Sequence, residues 1–335
     1  MIFPYHPYLF GVRFPKNRIF HLPPLADTGM ADKPSRALVL YGDGSARFVD
    51  PSHTHLHSLA SKASCGFLSL PITPPSESED ERVVREFAVL LDAYEAYLDT
   101  SSGITKEERE KKSLIPISER FMGMKAAIFT NNSSLKSFGT KLGFSIFQID
   151  GFLKNSPAGA EQPINFGASK LLKLLGFQEG KAVESSQYDL VFVHVAAAEV
   201  EYLNALVGAI SQIDQPGSEV SSRLHLSVVL NYGKVSENDV TNLSVSIRKD
   251  DENSDLAKLI PRQSYTMKGE NPRKDVRDHC PMLIAQWQYA VTRKDMAETF
   301  SFKDFKENGG NLVIPADRFL HEVAFKLWKA PKYGA

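Results

Sequence analysis

A Gly42-Asp43-Gly44 triplet closes an apolar run from Ala37 to Tyr41. A continuous run of this kind is the pattern of a strand buried on both faces, and the glycines let the chain turn sharply as it leaves the sheet. Such a turn presents the Asp43 carboxylate at the C-terminal edge of a strand, where open α/β sheets build their sites. Asp and Gly also suit turns for purely local reasons. Three histidines alternate at His53, His55 and His57. On an extended chain alternate residues share a face and would form a metal cluster, whereas at a helix start they are surface histidines. His194, between Val193 and Val195, reads as a satisfied core histidine, with a ligand role as the alternative. Residues 261–282 gather Arg262, Lys268, Arg273, Lys274 and Arg277. They form either a solvated charged loop or an anion-binding surface able to hold a phosphorylated ligand or a partner without metals.

Positioning such groups takes a framework, and the chain alternates in a way that supplies one. Apolar runs at 124–130, 144–150, 188–195 and 224–230 are separated by helix-sized stretches, a βαβ rhythm that implies a mainly parallel sheet. The stretch 53–70 reads as a helix ending near Gly66 and then a short strand. Residues 81–98 carry Val83, Val84, Phe87, Leu90, Leu91, Tyr94 and Leu98 at helical spacing, and 198–213 carry Val200, Leu203, Leu206, Val207, Ile210 and Ile213 on one face. Residues 71–80 and 99–113 are polar, Pro- or charge-rich, and are expected as exposed loops. Near the C-terminus Phe319, Val323, Phe325, Leu327 and Trp328 surround a short helix expected to dock on the domain.

Composition narrows the function classes. With 335 residues and 42% hydrophobic content the chain can bury a large α/β core, and no stretch approaches the roughly 20 apolar residues of a membrane span. A net charge of -1 from 39 basic and 40 acidic residues offers no global field for nucleic acid or an anionic membrane. Cys65 and Cys280 lie far apart and form no CxxC pair, which fits a reducing compartment. Residues 1–35 are aromatic, proline-rich and free of acid before Asp27. They read as an irregular extension ahead of one α/β domain over 36–330. The location expected is cytoplasmic, or organellar if residues 1–30 act as a targeting segment.

The order RALVLYGDG, HTHLHSLASKASCGFLSL, MKAAIFTNNSSLKSFGTKLGFSIFQIDG, YDLVFVHVAAAEVEYLNALVGAISQID resembles archaeal-type cofactor-independent phosphoglycerate mutases of the alkaline phosphatase superfamily, over residues 36 to 290. The resemblance implies an alkaline-phosphatase-like core with a single mainly parallel sheet flanked by helices. It also implies two metals about 3.5–4 Å apart that clamp a phosphoryl group, with Asp43 as the first ligand. The other matching positions depart from the family. Glu199 follows the VHV strand where the family has Asp and His, Asn231 and Tyr232 stand where it has Asp-His, and Asp275 takes the place of a later His, with His279 nearby. Ser76 and Ser78 are the hydroxyls nearest the place of the nucleophile, and the substrate-holding insert is largely missing.

These departures lead to the expectation of a noncatalytic member of the superfamily, acting as a binding or scaffold protein for a phosphorylated small molecule or a protein partner. It would hold no cofactor, or a weakly bound Mg, Mn or Zn ion. The alternative is a divergent metal-dependent phosphatase or mutase-like phosphotransferase built on Asp43.

Overall fold

The computed structural model describes residues 34–74, 76–101, 115–151, 163–236, 239, 242–245, 267–268, 271–272, 275–310 and 313–331. Eight strands form one sheet: β1 (Arg36–Asp43), β2 (Ser64–Ser69), β3 (Ala126–Phe129), β4 (Ser145–Phe147), β5 (Leu190–Ala196), β6 (Leu224–Leu230), β7 (Met282–Trp287) and β8 (Val313–Pro315). Their order is β8-β2-β7-β6-β1-β5-β3-β4. β1 pairs in parallel with both β5 and β6, which places it at the centre, and β5-β3-β4 continues in the same sense. β7 is the exception, running antiparallel between β6 and β2.

Each strand residue faces one side or the other, so β1 feeds two cores. Leu38 and Leu40 pack on one face with α1 (Thr54–Ala60), the helix Pro163–Leu174 and the helix Val200–Ile213. Ala37, Val39 and Tyr41 pack on the other with α2 (Glu79–Leu90), the helix Ser133–Lys141 and the helix Phe319–Lys326. The uninterrupted apolar run is the consequence of being covered twice.

Several boundaries differ from the sequence expectation. α1 ends at Ala60, and Gly66 lies inside β2. The stretch expected as one helix over 81–98 is two, α2 and Tyr94–Ser101, because Asp92 takes a positive φ of 50° between them. Its carboxylate accepts from Arg120 and meets His321, each at 2.8 Å, so the break is held by long-range partners that no local pattern shows. α2 also starts earlier, at Glu79, drawing in residues expected as exposed loop. The C-terminal helix buries Phe319, Leu320, Val323 and Ala324, but Phe325 and Trp328 point outward. Residues 1–33 of the N-terminal extension, and residues 102–113 of the second expected loop, lie outside the described residues.

Candidate functional site

The end of β1 is shaped by contact. A Cβ on Gly42 would stand 2.6 Å from Leu230 and 2.8 Å from the Ser45 hydroxyl, and Gly44 has φ of 73°, a conformation L side chains rarely adopt. The two glycines let β1 lie against β6 and then turn away, leaving Asp43 buried at the sheet's C-terminal edge.

Asp43 meets a cationic side chain there. Both of its oxygens accept from Nη2 of Arg82 at 2.9 Å, and Oδ1 also accepts from Nδ2 of Asn231 at 2.8 Å. The same Asn231 nitrogen lies 2.8 Å from Glu86 and 2.7 Å from the Tyr41 hydroxyl. Its oxygen accepts from the N–H groups of Gly44 and Gly233, which sets the orientation of the amide. Arg82 binds Glu79 through Nη2 at 2.6 Å and Nε at 3.0 Å, and Glu86 through Nη1 at 3.0 Å.

α2 makes this arrangement possible. Ser78 and Glu81 form a reciprocal capping box at its start, fixing the first turn. Arg82, Arg85 and Glu86, spaced three and four apart, then lie together beside the apolar stripe of Val83 and Phe87. Glu86 is fully buried and is reached by three guanidinium groups, Arg82 at 3.0 Å, Arg277 at 3.2 Å and Arg85 at 3.5 Å. Arg85 in turn binds Glu77 at 3.0 Å. Burial pushes the Glu86 carboxyl up, against the pull of its three cations. Burial alone would depress the Arg82 guanidinium, but Glu79, Asp43 and Glu86 hold it above its ordinary value. Burial pushes the Tyr41 hydroxyl well up, with Asp43 and Glu86 adding to the effect.

Beside this cluster is a cavity of about 640 Å³ whose wall includes Asp43, Val83, His194, Glu199, Tyr232 and Lys234. That is large enough for a small organic ligand. His194 is buried, and burial lowers its imidazole to about 4, so it is neutral near pH 7. Its Nδ1 lies 2.9 Å from the Thr130 hydroxyl, while Nε2 has no hydrogen-bond partner among the described residues. Thr130 is fully buried and already accepts from the Asn132 N–H, so its own O–H is satisfied by donating to Nδ1. That assignment leaves Nε2–H a buried donor with no partner among the described residues, on a residue that lines the cavity.

The site residues expected from the sequence are distributed unevenly. Asp43 and Asn231 are in direct contact, and Glu199 lines the same cavity from the start of the helix Val200–Ile213. Asp275 is exposed, and its carbonyl accepts from Ile72; His279 lies 3.3 Å from Asp278; neither lines the cavity. The hydroxyl of Ser78 donates to Glu81 at 2.7 Å as part of the helix cap, and Ser76 sits exposed in a turn. Of the basic patch, Arg277 turns inward to Glu86 and Thr73, since one buried carboxylate attracts it more strongly than solvent does. Lys268 lies in a two-residue strand, Met267–Lys268, and Arg262, Arg273 and Lys274 fall outside the described residues. His53, expected on the surface, is buried, with Nδ1 3.0 Å from Asp50 and Nε2 3.3 Å from Glu201. No group of three or more His, Cys, Asp or Glu side chains among the described residues is placed to hold a metal ion.

The sequence reading missed Arg82, Arg85 and Glu86. The signal was present in Glu79-Asp80-Glu81-Arg82-Val83-Val84-Arg85-Glu86-Phe87, where charged side chains of both signs flank the apolar stripe of a helix.

No protein-family model matches the sequence, and no curated protein matches it. Solved structures with a similar arrangement include a Pyrococcus horikoshii protein, with TM-score 0.49, 13% identity, and coverage of 90% of this chain and 99% of that one. A cofactor-independent phosphoglycerate mutase from Thermoplasma acidophilum gives TM-score 0.43 at 10% identity, over 86% of this chain and 98% of that one. A Vibrio parahaemolyticus protein in the alkaline phosphatase superfamily gives 0.39 at 11%, over 78% and 61%.

Proposed function

We propose that this chain is a noncatalytic relative of the alkaline phosphatase and phosphoglycerate mutase superfamily that keeps the cleft at the sheet edge for binding. The observation that carries the reading is the state of Asp43, whose two oxygens are both engaged by Arg82 and Asn231. A carboxylate held in this way is neutralised by a side chain and has no free edge to offer a phosphoryl-clamping metal. The two serines nearest the nucleophile's place also stand away from the cavity, Ser78 as the helix cap and Ser76 exposed in a turn. Residues act as a unit in such chemistry, so losing the clamp and the nucleophile together removes the rate rather than trimming it.

What remains is a cavity with a buried N–H donor at His194, a mixed rim of Asp80, Glu199 and Lys234, and apolar floor at Val83 and Ile149. A small phosphorylated molecule suits it, with its charge set beside Lys234. The two cysteines, buried and free, fit a reducing compartment such as the cytoplasm. Among the described residues no helix is long and apolar enough to cross a membrane.

The test is turnover. Purified protein incubated with Mg, Mn, Co or Zn and either an aryl phosphate or phosphoglycerate is expected to show none above background. A rate of about 1 per second or more, an ordinary enzymatic value, that vanishes in Asp43→Ala would overturn the reading and restore the divergent phosphatase.

A further inference from the structure

The ligand set that the resemblance assigns to a metal does not fit one here. Asp275 and His279 stay out of the cavity, Asn231 turns its nitrogen rather than its oxygen toward Asp43, and both Asp43 oxygens already accept hydrogen bonds. The centre is filled instead by Nη2 of Arg82. It lies 2.9 Å from each Asp43 oxygen and 2.6 Å from Oε1 of Glu79, so three oxygens of two carboxylates converge on one atom of a cationic group. Oxygen ligands surround Ca²⁺ at about 2.3–2.6 Å, so these oxygens need close in by only a few tenths of an ångström to ligate an ion placed at Nη2. Glu86 stands at the neighbouring nitrogen, 3.0 Å from Nη1. The amide at 231 belongs to the same arrangement. A carboxylate there would add a further negative charge between Asp43 and Glu86, whereas the Asn231 nitrogen, at 2.8 Å from each, faces both as a donor.

We propose that the Arg82 side chain is a tethered substitute for a divalent cation: its Nη2 fills a cation position formed by Asp43 and Glu79, and with the side chain shortened that position binds a free divalent ion. The metal-free part of the functional reading is presupposed; beyond it, the geometry assigns the chain's independence from metal to one residue. A guanidinium supplies the positive charge and the directed N–H groups but no exchangeable ligand position, so an incoming phosphoryl oxygen finds nothing to coordinate.

Two full-length variants test this, Arg82→Ser, which empties the position, and Arg82→Gln, whose amide ends at the level of the arginine Nε, short of the Nη2 position, and which removes the charge. In EDTA both are expected to melt below wild type, and millimolar Mn²⁺ or Ca²⁺ is expected to recover at least half of the loss, while the wild-type curve does not move. Electron paramagnetic resonance should show one Mn²⁺ taken up per chain in the variants, lost again when Asp43→Asn is added. A variant that is unfolded in EDTA and folds on adding the ion supports the proposal equally. It is overturned if neither variant responds to the ions, folded or not, or if uptake survives Asp43→Asn. Silent variants of an inactive wild type sink the cation substitution alone, and metal-dependent turnover by the wild type sinks the functional reading.

Discussion

His194 and Asp214 are both buried, and burial drives their protonation in opposite directions. It lowers the His194 imidazole from 6.5 to about 4, and raises the Asp214 carboxyl from 3.8 to about 7, with Lys62 pulling the latter back. Asp214 closes the helix Val200–Ile213, its carboxylate buried near Lys62 and the Trp287 indole. For His194 the unfolded chain takes up a proton below 6.5 that the folded one refuses until about 4. Its contribution is therefore complete above 6.5 and is lost as the pH falls through that window. For Asp214 the folded chain keeps a proton that the unfolded one gives up, so its contribution is complete below 3.8 and declines as the pH rises to about 7. Each amounts to something on the order of 3–4 kcal/mol at its full extent. Urea unfolding of wild type and Asp214→Asn across this range is expected to show the variant gaining on wild type as the pH rises. His194→Gln should gain on wild type as the pH falls. A pH-independent difference in either pair would refute the assignment.

At the scale of elements, α2 does most to define the site, because one helix carries the cap, the cation at Arg82 and the buried acid at Glu86. The serine that opens it has two readings with different consequences. As a nucleophile, Ser78 would be indispensable to any residual phosphatase activity; as the N-cap, its removal costs helix stability, about 1 kcal/mol. Ser78→Ala is expected to lower the unfolding free energy by that amount, seen as a lower urea midpoint, while leaving ligand binding at the cavity unchanged. Thermal and chemical unfolding measure the first, and a titration with inorganic phosphate as probe measures the second.

For the whole molecule, the single sheet ties both cores together through β1, whose alternate residues enter one core and then the other. The buried ion pairs at the C-terminal edge join α2 to β1, to Asn231 after β6 and to Arg277 before β7. The cationic groups described in that junction, Arg82, Arg85 and Arg277, are side chains of the chain itself. The wild-type unfolding curve is accordingly expected to be the same with and without EDTA, whereas a structural metal contributes folding energy that a chelator removes. A drop in midpoint on adding EDTA would show that an ion does support the fold.

The sequence alone determined β1, β3, β5 and β6, because each is covered on both faces and a doubly covered strand is apolar at most positions, with His194, His225 and Ser227 as buried polar exceptions. It determined Asp43's place as well, because the flanking glycines mark a close approach and a left-handed turn. Only the tertiary structure decided what Asp43 meets. Arg82 lies 39 positions away in sequence and reads locally as an ordinary helix-surface residue, and Asn231, 188 positions away, is set beside Asp43 only through the family resemblance. The same holds for Arg277, which a count of charges places in a solvated loop and the fold turns inward to Glu86. Local patterns report whether a residue is covered, since burial repeats along an element. The partner of a buried charge depends on which segments meet at one edge of the sheet, and that is settled only when the strands take their order.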